Sequence, residues 1–107
     1  MKLSDYVINF LEQKKVKDVF LLSGGGIMHL LDSLAKNNNI NKYYNLHEQA
    51  SGFAADGYAQ YGNKLGVVFA TTGPGATNVV TSLASAHIDS TPMLVISGQV
   101  KRETITK

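Results

Sequence analysis

The sequence contains no cysteine and no tryptophan, only two prolines, and nothing approaching the roughly 18 consecutive apolar residues that a membrane helix needs. Without cysteine there is no disulfide framework, no thiolate metal site and no thiol nucleophile. Charge of one sign is scarce too: ten Lys and Arg stand against eight Asp and Glu, a net charge of +2, and the basic residues are scattered from Lys2 to Lys107 instead of forming a stripe. Nucleic-acid binding therefore lacks electrostatic support. The opening Met1-Lys2-Leu3-Ser4-Asp5 lacks the apolar core of a signal peptide, which makes a cytoplasmic protein the expectation. What is present is 44% hydrophobic and 17% charged residues over 107 positions, the composition of one ordered globular domain with one core.

Apolar residues at Leu3, Tyr6, Val7, Phe10 and Leu11 predict an opening amphipathic helix that ends near Lys15. Asp18 to Leu22 reads as a strand buried on both faces, stopped by Ser23-Gly24-Gly25-Gly26. A second helix follows, with Ile27, Leu30, Leu31 and Leu34 on one face, and Lys42 to Leu46 reads as a short strand. Ala50, Phe53, Ala54, Gly57, Tyr58 and Tyr61 hold helical spacing from Glu48 onward, on a helix unusually rich in Ala and Gly. Leu65 to Ala70 is a third strand and Pro92 to Ser97 a fourth. Between them Ala76, Val79, Val80, Leu83, Ala84 and His87 predict a fourth helix, with His87 a core histidine. Strands alternating with helices imply an α/β fold: a parallel, doubly wound (flavodoxin-like) three-layer domain over residues 1–107, expected to be partial because four strands are few.

In such a sheet, ligands sit where strand carboxyl ends meet helix starts. Three places qualify: Ser23 to Gly26, Leu46-His47-Glu48-Gln49, and Thr71 to Asn78. Neither glycine loop completes a dinucleotide fingerprint, since His29 and Asn78 stand where the third glycine belongs. No Gly-Lys-Ser/Thr follows either, and Ser51 replaces the second histidine of a zinc-protease helix. Glu48 is the only acid between Asp32 and Asp56, and Lys42 is the nearest basic residue in sequence. Two readings of it stand. A carboxyl buried without a counter-ion has a raised pKa and serves as a proton donor or acceptor near neutrality. An exposed acid in a first helical turn merely complements the dipole. Gly24 to Gly26 are read as a tight turn, and Thr71 to Asn78 equally as cap and turn or as a ligand-contacting edge.

Together these segments resemble the N-terminal, pyrimidine-binding domain of thiamine-diphosphate enzymes of the acetolactate synthase type. The resemblance is carried by His47-Glu48-Gln49 with Ala54-Ala55-Asp56-Gly57-Tyr58-Ala59, then Thr72-Gly73-Pro74-Gly75-Ala76-Thr77-Asn78, Asp89-Ser90-Thr91-Pro92 and Ser97-Gly98-Gln99-Val100. It implies that Glu48 hydrogen-bonds N1′ of the cofactor's aminopyrimidine and favours the tautomer that removes the thiazolium C2 proton. It further implies that Gly24, Gly25, Thr72, Pro74 and Asn78 hold and flank the pyrimidine, and that the substrate is a 2-oxoacid such as pyruvate. Ser23 and Leu22 depart from the family's usual proline and aromatic residue, at the edge facing substrate.

The sequence has no Gly-Asp-Gly, the motif with which the resembled enzymes hold diphosphate and Mg²⁺. The resemblance thus implies no metal ligand in this chain, Mg²⁺ on a separate diphosphate-binding domain, and packing against that domain in a homodimer or tetramer. FAD, common among the resembled enzymes, would lie outside these residues. The ending Gly98 to Thr104 resembles a branch linked to surface-polysaccharide sugar synthesis. Two alternatives stay open: a small subunit of a two-chain 2-oxoacid decarboxylase, and a non-catalytic oligomerisation module of the same fold.

Overall fold

The computed structural model describes residues 1–105. Strands β1 (Asp18–Leu21), β2 (Asn41–Tyr44), β3 (Gly66–Ala70) and β4 (Met93–Ser97) form one sheet in the order β2-β1-β3-β4. All pairings are parallel, with Asp18 opposite Asn41, Phe20 opposite Val68 and Gly66 opposite Met93. This is the doubly wound, three-layer architecture the sequence led us to expect.

Helices α1 (Leu3–Gln13) and α2 (Met28–Lys36) cover one face; α3 (Glu48–Gly62), the short α4 (Pro74–Thr77) and α5 (Val80–Ile88) lie on the other. The two-residue period of the strands divides the core accordingly. Val19, Leu21, Val67, Phe69, Leu94 and Ile96 pack with Ile8, Leu11 and Leu34. Phe20, Val68, Ala70, Met93 and Val95 point the other way, to Ala55, Val79 and Leu83. Burial of each large member contributes about 1.5–3 kcal/mol. No helix among the described residues is long and apolar enough to cross a membrane.

Helices α1 and α3 are rotated from the faces their apolar residues predict, whereas Ile27, Leu30, Leu31 and Leu34 of the second helix pack on the core as expected. In α1 the buried residues are Ser4, Ile8 and Leu11, while Leu3, Tyr6 and Phe10 are exposed. The cause is a polar seam: Ser33 of α2 donates to Asp5 Oδ1 at 2.6 Å and lies 2.8 Å from Ser4 Oγ, which turns that side of α1 toward α2. In α3 the buried face is Ser51, Gly52, Ala55, Asp56 and Ala59, and Phe53 and Tyr61, which share the apolar helical spacing, face outward, the latter 99% exposed. Size selects this face. A Cβ on Gly66 of β3 would come within 2.9 Å of the Ala55 carbonyl carbon, so α3 lies almost backbone to backbone on the sheet. The expected fourth helix is two helices broken at Asn78 and Val79; its buried residues include Val79, Ser82 and Ala86, and His87 is exposed, not a core histidine.

At the β2 edge, Tyr58 of α3 donates to Asp18 Oδ2 at 2.7 Å, and Asn41 donates to Asp18 Oδ1 at 2.9 Å. Burial first, then the bond to Asp18, pushes the Tyr58 hydroxyl up to about 12. Burial also pushes Asp18 up, but the hydrogen bonds from Tyr58 and Asn41 outweigh it and leave the carboxyl below its usual 3.8. Both shifts are contributions to stability. The tyrosine's part is complete below the unfolded value of 10.0 and is lost as pH rises through about 12. The carboxylate's part is complete above 3.8 and is lost as pH falls through its lower folded value. Melting curves should therefore show Tyr58→Phe lowering Tm most between these limits, and ultraviolet titration should find one of the five tyrosines ionising near pH 12. A Tyr58→Phe deficit that persists unchanged in strong acid would contradict this account.

Candidate functional site

The chain leaves β1 for α2 on one face and leaves β3 for α4 on the other, the reversal at which open parallel sheets hold ligands in a crevice between strand ends. The loops flanking it are locked together by Thr71. The backbone N–H of Gly26 donates to Thr71 Oγ1 at 3.0 Å. A Cβ on Gly24 would stand 2.5 Å from Thr71 Cβ, one on Gly26 2.7 Å from Oγ1, and one on Gly75 2.6 Å from Cγ2. One threonine side chain thus accounts for three glycines. Gly25 is different: it is exposed, with nothing within 4 Å of a Cβ, so its missing side chain serves no packing within this chain.

Glu48 is the first residue of α3. His47, in extended conformation, caps the helix by accepting from Gln49 N–H at its Nδ1, 3.0 Å away. Ser51 Oγ donates to Asn45 Oδ1 at 2.9 Å and ties the preceding loop to the same turn. The carboxyl sits in the first turn of the helix, near the positive end of its dipole. It is half-buried, less enclosed than an acid shut away from solvent. Oε2 accepts from Asn78 Nδ2 at 3.1 Å, and Oε1 lies 3.5 Å from where a Gly75 Cβ would be. No cation pairs with it among the described residues, and Lys42 donates instead to the carbonyl of Asn37.

The Thr72 to Asn78 edge is rigid for identifiable reasons. Gly73 has φ +63° and ψ −126°, a conformation that a side chain would strain, and Pro74 occupies the first helical position of α4, where its missing N–H costs nothing. Thr77 Oγ1 donates to the Pro74 carbonyl at 3.2 Å, which leaves Asn78 to reach Glu48. Thr72 Oγ1 donates to Gln99 Oε1 at 3.4 Å, bringing the segment after β4 to the same edge.

Glu48 and Asn78 therefore meet directly, Thr72 and Pro74 lie on the adjoining edge, and Gly24 and Gly25 line the facing loop. Thr71 and Gln99 join them. Both fell within segments marked from the sequence, Thr71 to Asn78 and Ser97 to Val100, but Thr71 had no role of its own there, because that role depends on β1 and β3 being neighbours. Among the described residues no three His, Asp or Glu side chains gather as a metal centre. A cavity of about 730 Å³ lies on the α1/α2 face, bounded by Leu3, Val7, Leu30 and Ile96 with Lys2 and His29 at its rim. Its walls are chiefly apolar and none of the candidate site residues borders it.

The arrangement offers a carboxyl with one oxygen committed to an amide and the other beside a glycine, at the rim of a crevice with a backbone-lined edge. Residues 1–107 match the family described as "Thiamine pyrophosphate enzyme, N-terminal TPP binding domain". The chain is 44% identical over 102 residues to a probable acetolactate synthase 2, chloroplastic, of Oryza sativa subsp. japonica, covering 95% of this chain and 15% of that protein. It is 45% identical to the acetolactate synthase large subunit of Cyanidium caldarium, covering 92% of this chain and 17% of that protein. To the acetolactate synthase isozyme 1 large subunit of Escherichia coli (strain K12) it is 40% identical, covering 95% and 18%. The chain thus spans less than a fifth of the length of these relatives. With every residue from 1 to 107 inside the match, and a half-buried glutamate at the strand ends, the chain belongs to the thiamine pyrophosphate enzymes as their N-terminal TPP-binding domain.

Proposed function

We propose that this chain is the pyrimidine-binding, cofactor-activating part of a thiamine-diphosphate-dependent 2-oxoacid decarboxylase or carboligase of the acetolactate synthase type. The observation that carries this reading is the Glu48 carboxyl, anchored through Oε2 to Asn78 and hydrogen-bonded to nothing else among the described residues. A carboxyl in that state can share a proton with a ring nitrogen at Oε1, and the half-buried setting strengthens the bond. Asn78 fixes the carboxyl's orientation. Gly75, Thr72 and Pro74 provide a rigid edge for a flat heterocycle, and Gly25 leaves the opposing loop without a side chain. When bound, thiamine diphosphate supplies a carbon nucleophile and an electron sink for 2-oxoacids such as pyruvate.

Diphosphate and Mg²⁺ would be held by a separate domain carrying the Gly-Asp-Gly motif that this sequence lacks. The outward face of α3, with Phe53, Gly57 and Tyr61, is suited to packing on that domain in a homodimer or tetramer; FAD would lie beyond these residues.

The test is binding of two ligands by the complete enzyme: thiamine diphosphate and its analogue in which the pyrimidine N1′ is replaced by C–H. A hydrogen bond involving a charged partner is worth about 1.5–3 kcal/mol, so the native enzyme should prefer the natural cofactor by at least about tenfold. Glu48→Gln should reduce that preference. Equal affinities in the native enzyme would refute the assignment.

A further inference from the structure

Asp56 is 4% exposed on the inner face of α3, and both ion pairs among the described residues use Asp32, leaving Asp56 without a cation. Its partners are neutral: Gln60 Nε2 donates to Oδ1 at 2.9 Å, and Ser85 Oγ of α5 donates to Oδ2 at 3.3 Å. Burying a carboxylate on neutral donors costs stability that an apolar residue would not, so packing alone does not account for this residue.

Its place in the α3–α5 contact does. Glu48, Gly52 and Asp56 follow one another at intervals of four and form one row along α3. Asn78, Ser82 and Ser85 form a matching row on the segment running into α5. The rows meet rung by rung: Glu48 on Asn78 at 3.1 Å, Gly52 against Ser82, and Asp56 on Ser85 at 3.3 Å. The middle rung is the tightest, since a Cβ on Gly52 would stand 2.7 Å from Ser82 Cβ and overlap its hydroxyl, which is itself bonded to the Val79 carbonyl. Gly52 is a fulcrum midway between the outer rungs, each about 6 Å away along the helix axis. Asp56 and Glu48 are the two ends of one helical segment resting on that contact, so loss of the rung at Asp56 frees α3 to turn on it and displaces Glu48 relative to Asn78. At 3.1 Å the Glu48–Asn78 bond is already near the long end of the normal range, so a shift of about half an ångström breaks it.

We infer that Asp56, through its bond to Ser85, is a positioning residue that levers α3 about Gly52 and so holds Glu48 on Asn78 at the mouth of the crevice. Its relevance to catalysis rests on the proposed role of Glu48, while the mechanical coupling does not. Asparagine keeps an acceptor for Gln60 and can donate to the Ser85 hydroxyl, so Asp56→Asn preserves the rung; Asp56→Ala removes it. Ser85→Ala removes it from the other side without emptying the buried site.

The experiment follows the Asn78 side-chain amide and the Glu48 side-chain carboxyl carbon by NMR in the full chain. Asp56→Asn, Asp56→Ala and Ser85→Ala are compared with Val19→Ala, a destabilising control in the core of the opposite face. Both reporters should move in Asp56→Ala and Ser85→Ala, and stay in place in Asp56→Asn and Val19→Ala. In the complete enzyme the two rung-breaking variants should slow C2 proton exchange of bound thiamine diphosphate by about 10- to 100-fold, with a smaller change in cofactor affinity. Unmoved reporters in Ser85→Ala, or equal movement in Val19→Ala, overturn the coupling. Reporters that move while Glu48→Gln leaves C2 exchange unchanged would uphold the coupling and defeat the proposed function instead.

Discussion

Replacing Glu48 with glutamine is expected to leave the domain folded and to slow C2 proton exchange of bound thiamine diphosphate by about 10²- to 10⁴-fold, the usual range for removing a positioned acid or base. The substitution separates two properties of the side chain. The glutamine oxygen can still accept from Asn78 Nδ2, so the contact between α3 and the turn before α5 survives, and with it the packing around Gly52. What disappears is the group able to give up and take back a proton, since an amide does neither near neutrality. Stability should change little, because the carboxyl is half-buried and joins no ion pair among the described residues. Paired measurement of exchange rate and Tm in the complete enzyme decides the matter. A normal rate removes Glu48 from its proposed role, and a collapsed Tm would mean that the glutamate is structural. Glu48→Asp shortens the side chain by one methylene and should fall between the two, retaining the proton but not its reach.

How such a site could be read from sequence differs from element to element. The strands were legible because β1 and β3 carry short apolar runs; β3 is buried on both faces, as parallel sheets impose, while β1 is buried on one face and, against expectation, only half-buried at Asp18 and Phe20 on the other. Glu48 was legible as an unusual acid at a helix start, and Asn78 as a polar residue in a glycine-proline turn. Their meeting was not, because 30 residues separate them and only the strand order places the two segments side by side. The same order makes Thr71 the common neighbour of Gly24, Gly26 and Gly75, which no local pattern announces. Helix faces were misread for another reason. Apolar periodicity marks where large apolar residues lie, whereas α3 turns its small residues to the sheet and leaves Phe53 and Tyr61 outside. On this helix, close approach selects the inner face by size, and the larger apolar side chains are left for whatever covers the outer one.

That division of labour predicts opposite outcomes for two glycine-to-alanine substitutions. Gly66→Ala puts a methyl group against the Ala55 carbonyl and 3.3 Å from the Ala55 side chain, both rigid parts of a fully buried contact. The sheet and α3 would have to separate, which costs about 1–3 kcal/mol or more and should lower Tm by several degrees or prevent folding. Gly57→Ala meets nothing within 4 Å and lies in the middle of α3, where glycine is less favourable than alanine by about 0.8–1.0 kcal/mol. The chain alone should therefore become more stable by up to that amount. Close approach of the proposed diphosphate-binding domain would give a glycine at this position a use that nothing among the described residues does. Gly57→Ala should then raise the Tm of this domain and weaken its association with that partner, which denaturation and sedimentation measured on the same variant can compare. If association is unaffected, the outward face of α3 is not where the partner packs.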